Sequence, residues 1–353
     1  MRSEITTSAI IKLVLRTPAI MRSEITTPVI TKSVLKTPAI MKSVLTPLII
    51  ACCQFGYAQT SFKVIPLGVK GGTDESNLSA YMIAPQGSEE YVCLDAGTVH
   101  YGIEKAIQAK LLSGNAETVL KRNIKGFLIS HGHLDHLAGM IINSPDDSTK
   151  NIYGLDYVLD ILKDKYFSWK SWANFADEGE KPALSKYHYT VLTPGTETPL
   201  QNTSMQVTAF PLAHSNPYQS TAFLVKHQDA YVLYLGDTGA DSVEHSDKLH
   251  QLWIQVAPLL KSKQLKALFI EVSFSNQQPD KLLFGHLTPH WLMSELQDLA
   301  ALAGAEALED FPVVITHIKP GGNREQAIKE QLKGYNPLHV QLIIPEQAKL
   351  LKF

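Results

Sequence analysis

Short apolar runs recur along the chain from Phe62 onward, and most end at Gly, Pro or Asp. FKVIPLGV, AYMIAP, YVCLDAG, KGFLIS, MQVTAFPL, TAFLVKH, YVLYLGD, ALFIEVSF, VVITHI and VQLIIPE are rich in Val, Ile, Phe and Tyr, a pattern that predicts strands. Apolar positions spaced three and four apart in YGIEKAIQAKLL, YGLDYVLDILKDKYF, DKLHQLWIQVAPLLK, TPHWLMSELQDLAALAG and REQAIKEQLKG predict helices. Strands cluster and helices intervene. The expected architecture is α/β, with two sheets packed face to face and helices outside them. No Pro/Gly/Ser-rich linker divides residues 59–353, so they are expected to form one domain.

The first forty residues break this pattern. MRSEITTSAIIKLVLRTPAI is followed by MRSEITTPVITKSVLKTPAI, and a third partial copy starts at Met41. Two copies and a fraction fall short of the roughly three stacked units that a solenoid needs, so residues 1–40 are expected to be a repetitive extension outside the fold. From Met41 the order is one Lys, an apolar stretch from Val44 to Phe55, then Gly56 and Ala58. That is signal-peptide organisation over residues 41–58, and it predicts a secreted or periplasmic protein; a short buried helix and a lipoprotein acylated at Cys52 are the alternatives.

Composition narrows the partners. At 353 residues with 44% hydrophobic content, the chain can bury a substantial core. It contains no uninterrupted apolar stretch near the ~20 residues of a membrane span. Setting aside the seven basic and two acidic residues of 1–58, out of 32 and 34 in all, leaves a net charge of −7. A nucleic acid polymer is therefore not an expected partner, because phosphate backbones are bound by Lys/Arg surfaces. Beyond Cys52 and Cys53, Cys93 stands alone, so no disulfide framework exists there. Oligomeric state is not legible.

The candidate chemistry lies in HGHLDH. His131, His133, Asp135 and His136 occupy six positions directly after the apolar run GFLI, on a strand-to-helix loop that can turn several side chains toward one point. Imidazole and carboxylate suit Zn²⁺, Mn²⁺ or Fe²⁺. A catalytic metal ordinarily takes three protein ligands plus water, so four groups with more downstream suggest two ions. His214, Asp237 and His317 each end an apolar run and would share one rim with the cluster.

This order of ligands resembles the metallo-β-lactamase superfamily, from about Phe62 to the C-terminus. The longer string HGHLDHLAGMIINSP resembles the signature of class II cyclic-nucleotide phosphodiesterases, as do ESNLSAYMIA, LDAGT, GDTGAD, EVSFSN, FGHLTP and THIKP. Ala240 departs from the Pro expected there. The resemblance implies a four-layer αβ/βα sandwich and hydrolysis of cyclic AMP, with cyclic GMP as a second candidate. It implies His131, His133 and His214 on one divalent ion, Asp135, His136 and His317 on another, and Asp237 between them, with Zn²⁺ the leading metal. Two such ions ~4 Å apart would make hydroxide available for attack on phosphorus. Asp135 would also orient that water, and His286 would serve as general acid or phosphate clamp. Lys319 is a candidate phosphate contact; Asn77 and Thr238 are candidates for binding the nucleotide or for buttressing a ligand.

Other readings share the sequence. A lactonase, a β-lactamase or another ester hydrolase would keep the fold and metals, and a non-catalytic binder would lack ligands, of which none is missing. His100, His188, His227, His245, His250, His290 and His339 read as surface or core residues. YHYTV and Tyr166–Phe175 read as a packed helix face, with a base-stacking pocket or lid as the alternative. Gly71-Gly72 reads as a tight turn.

Overall fold

The computed structural model describes residues 61–353, so the tandem repeat, the signal-peptide segment and Cys52 lie outside the described residues. The apolar runs become strands. In chain order these are β1 (Phe62–Gly68), β2 (Ala80–Pro85), β3 (Tyr91–Leu94), β4 (Ile124–Leu128), β5 (Lys150–Gly154) and β6 (Tyr187–Val191). There follow β7 (Thr198–Pro199), β8 (Gln206–Ala213), β9 (Gln219–His227), β10 (Ala230–Leu235), β11 (Leu265–Glu271), β12 (Pro312–Thr316), β13 (Gln341–Ile343) and β14 (Leu351–Lys352). They build two seven-stranded sheets, ordered β14-β1-β2-β3-β4-β5-β6 and β13-β12-β11-β10-β9-β8-β7.

Each sheet joins an antiparallel part to a parallel part. β3 to β6 run parallel in the first sheet, and β10 to β13 in the second. Parallel neighbours need crossover connections, and helices supply them: α1 (His100–Gln108), α2 (Ala116–Arg122), α3 (Leu134–Asn143) and α4 (Asp156–Ile161) on the first sheet. On the second, α5 (Asp241–Glu244), α6 (Lys248–Lys261), α7 (Pro289–Ala303) and α8 (Arg324–Gly334) do the same. The C-terminal ends of the parallel strands are thereby gathered on one rim.

Strand alternation sorts the core into three clusters. Tyr81, Ile83, Leu94 and Leu128 meet Phe223, Val232, Tyr234 and Phe269 between the sheets. The opposite faces pack on helices, with Met82, Cys93 and Phe127 against Ile103, Val119, Leu137 and Val158, and Leu233, Leu268 and Val313 against Trp253, Leu296 and Ile328. Helices, sheet, sheet, helices: this is the four-layer arrangement expected. Strands buried on both faces read as nearly continuous apolar runs, which is why they were legible.

Several local expectations are corrected. The helix predicted from Tyr153 begins at Asp156, because Tyr153 and Gly154 complete β5. YHYTV is an edge strand, not a helix face. Tyr166 closes a wide turn after α4, and the chain to Phe175 is loop, with Trp169 and Trp172 partly exposed. β5 was hidden because its run begins at Lys150, whose buried ammonium is satisfied by Leu120 O and Asp147 Oδ1, both at 2.7 Å.

Candidate active site

HGHLDH spans the end of a strand and the start of a helix. β4 stops at Leu128, His133 is the N-cap of α3, and Asp135 falls in the first helical turn, where the helix dipole favours a carboxylate. Gly132 is held from two sides: its N–H donates to Tyr218 Oη at 3.1 Å, and Tyr166 Oη donates to its carbonyl at 2.8 Å. That fixes the direction of the residues flanking it. His214 follows β8, Asp237 lies just past β10, and His317 follows β12 in a left-handed conformation (φ 56°). Such a conformation is uncommon for a non-glycine residue and is often found at functional sites.

All seven predicted ligand residues come together. Asp237 Oδ2 lies 3.3 Å from His136 Nε2 and 3.2 Å from His317 Nε2, and 3.8 and 3.9 Å from the Nε2 atoms of His131 and His214. In each of two groups, His131/His133/His214/Asp237 and Asp135/His136/His317, the candidate ligand atoms lie within 4.8 Å of one another. His286 comes equally near Asp237 and His317. Its Nδ1, however, 3.7 Å from Asp237 Oδ2, is committed to Glu271 Oε1 at 2.6 Å. We therefore keep it out of the ligand set.

The outward nitrogens are all occupied. His131 Nδ1 meets Ser130 Oγ at 3.0 Å, His136 Nδ1 meets Asp95 Oδ2 at 2.7 Å, His214 Nδ1 meets Gly285 O at 2.8 Å, and His317 Nδ1 meets Ser273 Oγ at 2.8 Å. Partners at Nδ1 leave Nε2 free to face inward, the usual support for metal-binding imidazoles. His133 differs and presents Nδ1, 3.1 Å from His131 Nε2 and 3.3 Å from His214 Nε2. Asp135 Oδ2 accepts from Gly72 N at 2.8 Å and lies 3.1 Å from His317 Nε2.

These residues fit a divalent cation. Buried His136 Nε2 has no hydrogen-bond partner among the described residues, since its 3.3 Å approach to Asp237 is misaligned. A buried polar atom without a partner is costly unless something fills the gap. Burial holds His131 well below the usual histidine range and His214 down to about 4, so both are neutral and able to ligate at pH 7. Burial works against ionising Asp237, but the surrounding His317 and His136 outweigh it and keep the carboxylate charged.

A cavity of about 570 Å³ opens on the cluster, lined by His133, Asp135, His214, Asp237, His286 and Lys319 among others. A second cavity of about 620 Å³ adjoins it at Ser215 and Phe284 but contains no residue of the ligand cluster, so the chemistry belongs to the smaller one. Asn77 and Thr238 are not brought into either. Asn77 Oδ1 accepts from Val69 N at 3.0 Å, while Thr238 Oγ1 lies 3.1 Å from Ala213 O and 3.2 Å from Gly239 O, so its hydroxyl is spent on backbone. Both brace loops and leave nucleotide contact to others.

Sequence reasoning missed the braces. Asp95, at the end of the run YVCLD, accepts from Ser130 N, Ser130 Oγ and Tyr234 Oη, each at 2.7 Å, besides meeting His136. Glu271, at the end of ALFIE, holds His286. The Gly71-Gly72 turn is more than a turn: a Cβ on Gly71 would fall 2.2 Å from His317 Cε1, and Gly72 N grips Asp135.

Comparison with known proteins bears on the family and the fold. A family model described as class-II cAMP phosphodiesterases matches residues 60–347. The chain is 42% identical over 315 residues to the 3′,5′-cyclic-nucleotide phosphodiesterase of Aliivibrio fischeri, covering 85% of this chain and 95% of that one. It is 35% identical over 322 residues to a probable 3′,5′-cyclic-nucleotide phosphodiesterase of Yersinia pestis, covering 87% and 94%. Among solved structures, unliganded yeast PDE1 superposes with a TM-score of 0.72 at 21% identity, over 83% of this chain and all (100%) of that one. The metallo-β-lactamase fold protein YhfI from Bacillus subtilis superposes with a TM-score of 0.53 at 18% identity, over 82% and 98%. The four-layer sandwich is thus a metallo-β-lactamase fold.

Proposed function

The chain belongs to the class II cAMP phosphodiesterases and is a 3′,5′-cyclic-nucleotide phosphodiesterase, and from that premise we propose that it opens cyclic AMP, and cyclic GMP as a second substrate, to the 5′-monophosphate at the His/Asp cluster. The observation that carries this is the span of the family match, residues 60–347, which takes in every residue of the cluster. The proposed cofactors are two divalent cations, Zn²⁺ foremost: His131, His133 and His214 on one, Asp135, His136 and His317 on the other, and Asp237 between. Divalent cations there would supply Lewis acidity toward a phosphoryl oxygen and lower the pKa of water.

The chain's own groups do the rest. Burial opposes ionisation of Asp135, but His136 and His317 overcome it and hold the carboxyl far below its usual range. Pinned by Gly72 N, this carboxylate orients the attacking water. His286 faces the leaving 3′ oxygen. Burial pulls it down to about 4, while burial, then the Asp237 charge, push Glu271 up to about 7. The imidazole is therefore neutral near pH 7, and the carboxyl is divided between its protonated and ionised forms. In its protonated form Glu271 donates to His286 Nδ1, which puts the imidazole proton on Nε2; as Nε2 gives its proton to the leaving oxygen, Nδ1 takes the one from Glu271. This relay is one form of the general acid expected at His286. Lys319, whose ammonium lies 5.3 Å from the Phe274 ring centroid, adds positive charge to the cavity wall. The signal-peptide reading at Met41 supports action outside the cytoplasm.

Purified protein should hydrolyse cyclic AMP, lose that activity to a chelator and regain it with metal. Turnover of a lactone without turnover of either cyclic nucleotide would overturn the reading.

Metal loading should also release a proton. Burial opposes a charge on His136, but Asp237, Asp95 and Asp135 outweigh it and hold His136 well above the usual histidine range. A cation can take Nε2 only after that proton leaves, so affinity is expected to fall as pH falls. Calorimetric titrations in buffers of different ionisation enthalpy should give heats that scale with the buffer. Buffer-independent heats would contradict this.

A further inference from the structure

Two of the most exposed large apolar side chains among the described residues stand at the mouth of the active-site cavity, Leu134 at 59% and Phe284 at 60%. Single exposed apolar residues are ordinary on a protein surface. Phe284 carries two further features. Its backbone lies at φ 52°, in the left-handed region that a bulky residue seldom adopts. It is also shared by both cavities, the 570 Å³ one with the His/Asp cluster and the 620 Å³ one beside it.

The loop that carries the ring is seated on a ligand. Gly285 O meets His214 Nδ1 at 2.8 Å, and a Cβ at Gly285 would fall 2.2 Å from Ser215 N and 2.6 Å from that same Nδ1. The backbone that carries the ring is thus fixed relative to the point where a phosphate would sit. The second cavity beyond it is lined by Asn216, Ser242 and Lys281, which offer donors and acceptors. A cyclic nucleotide has a matching shape, an anionic end to face the cluster and, beyond the ribose, a flat base with an apolar face and a polar edge.

We propose that Phe284 is the platform on which the substrate's nucleobase rests, with the base edge directed into the second cavity. This rests on the cyclic-nucleotide reading above. Aromatic stacking on a base is sequence-tolerant, because every base has a π-face. Phe284 therefore secures the base in general, and the polar lining beyond it discriminates between bases.

The test compares cyclic AMP with methyl ribofuranoside 3′,5′-cyclic phosphate, a simple diester with no aromatic group. Phe284→Ala should raise KM for cyclic AMP about 10-fold, with kcat changed far less, and lower kcat/KM for the simple diester by no more than about two-fold. Phe284→Tyr should restore the wild-type KM. Phe284→Gly guards against misfolding, since glycine is at ease at this φ; it should stay folded by circular dichroism and reproduce the alanine result. Equal losses on both substrates, no loss on cyclic AMP, or failure of Tyr to restore KM would each overturn the platform. Wild-type protein that cleaves the simple diester but not cyclic AMP would overturn the parent reading, and the platform with it.

Discussion

His133→Ala is expected to lower kcat/KM for cyclic AMP at least ~10³-fold, roughly 4 kcal/mol of transition-state stabilisation. Its Nδ1 is one of the nitrogens that converge in the proposed first ion site, 3.1 and 3.3 Å from the Nε2 atoms of His131 and His214. Few other roles would be lost with it. The side chain is partly exposed, makes no cap hydrogen bond to α3, and outside the histidine cluster stacks on Tyr218 at 4.7 Å between centroids. An exposed truncation of this kind costs about 0.5 kcal/mol or less, so the metal-free variant should melt within ~2 °C of wild type. Turnover, metal content and melting temperature measured together check the assignment. Activity retained at normal metal content would remove His133 from the ligands.

Asp95→Asn should be nearly as damaging without touching the substrate. Asparagine keeps the shape and tolerates the left-handed backbone that Asp95 adopts at φ 55°. What changes is the direction of hydrogen bonding. Oδ1 can still accept from Ser130 N, but an NH₂ at Oδ2 would face Ser130 Oγ, Tyr234 Oη and His136 Nδ1. His136 must then accept at Nδ1 and carry its proton at Nε2, the atom aimed at the cluster. Metal affinity should fall on the order of 10²-fold. Asp95→Ala leaves four buried groups, on Ser130, Tyr234 and His136, without their partner and should cost about 3–5 kcal/mol of stability. Thermal melts with metal titrations separate the two effects, and a D95N protein with wild-type metal affinity would show that the tautomer of His136 does not matter.

The sequence made the ligands legible and hid their supports for one reason. A residue that ends an apolar run on the rim is conspicuous when it is histidine within a dense cluster, as at His131, or when a family pattern points to it, as at His214 and His317. Asp95 and Glu271 end apolar runs in the same way as Asp237, but neither sits in a histidine cluster, so each reads as an ordinary polar strand end. Asn77 and Thr238 each offered two roles, and their oxygens are spent on neighbouring backbone, Thr238 on Ala213 beside His214, which is the buttressing role. The sheets were readable because burial on both faces makes strands nearly continuous in apolar residues. β5 and β6 were not, since Lys150 and an exposed edge dilute the signal.

The ligand set is divided across the seam between the sheets. His131, His133, Asp135 and His136 follow β4 of the first sheet, while His214, Asp237 and His317 follow β8, β10 and β12 of the second. Asp95 at the end of β3 and Tyr234 in β10 bridge the same seam at 2.7 Å. The inter-sheet core therefore acts as a ruler: the bulk of residues such as Phe223 and Phe269, remote from any substrate, sets the spacing at which the two halves of the site face each other. Trimming that core would mistune catalysis from a distance, by changing a gap rather than a group.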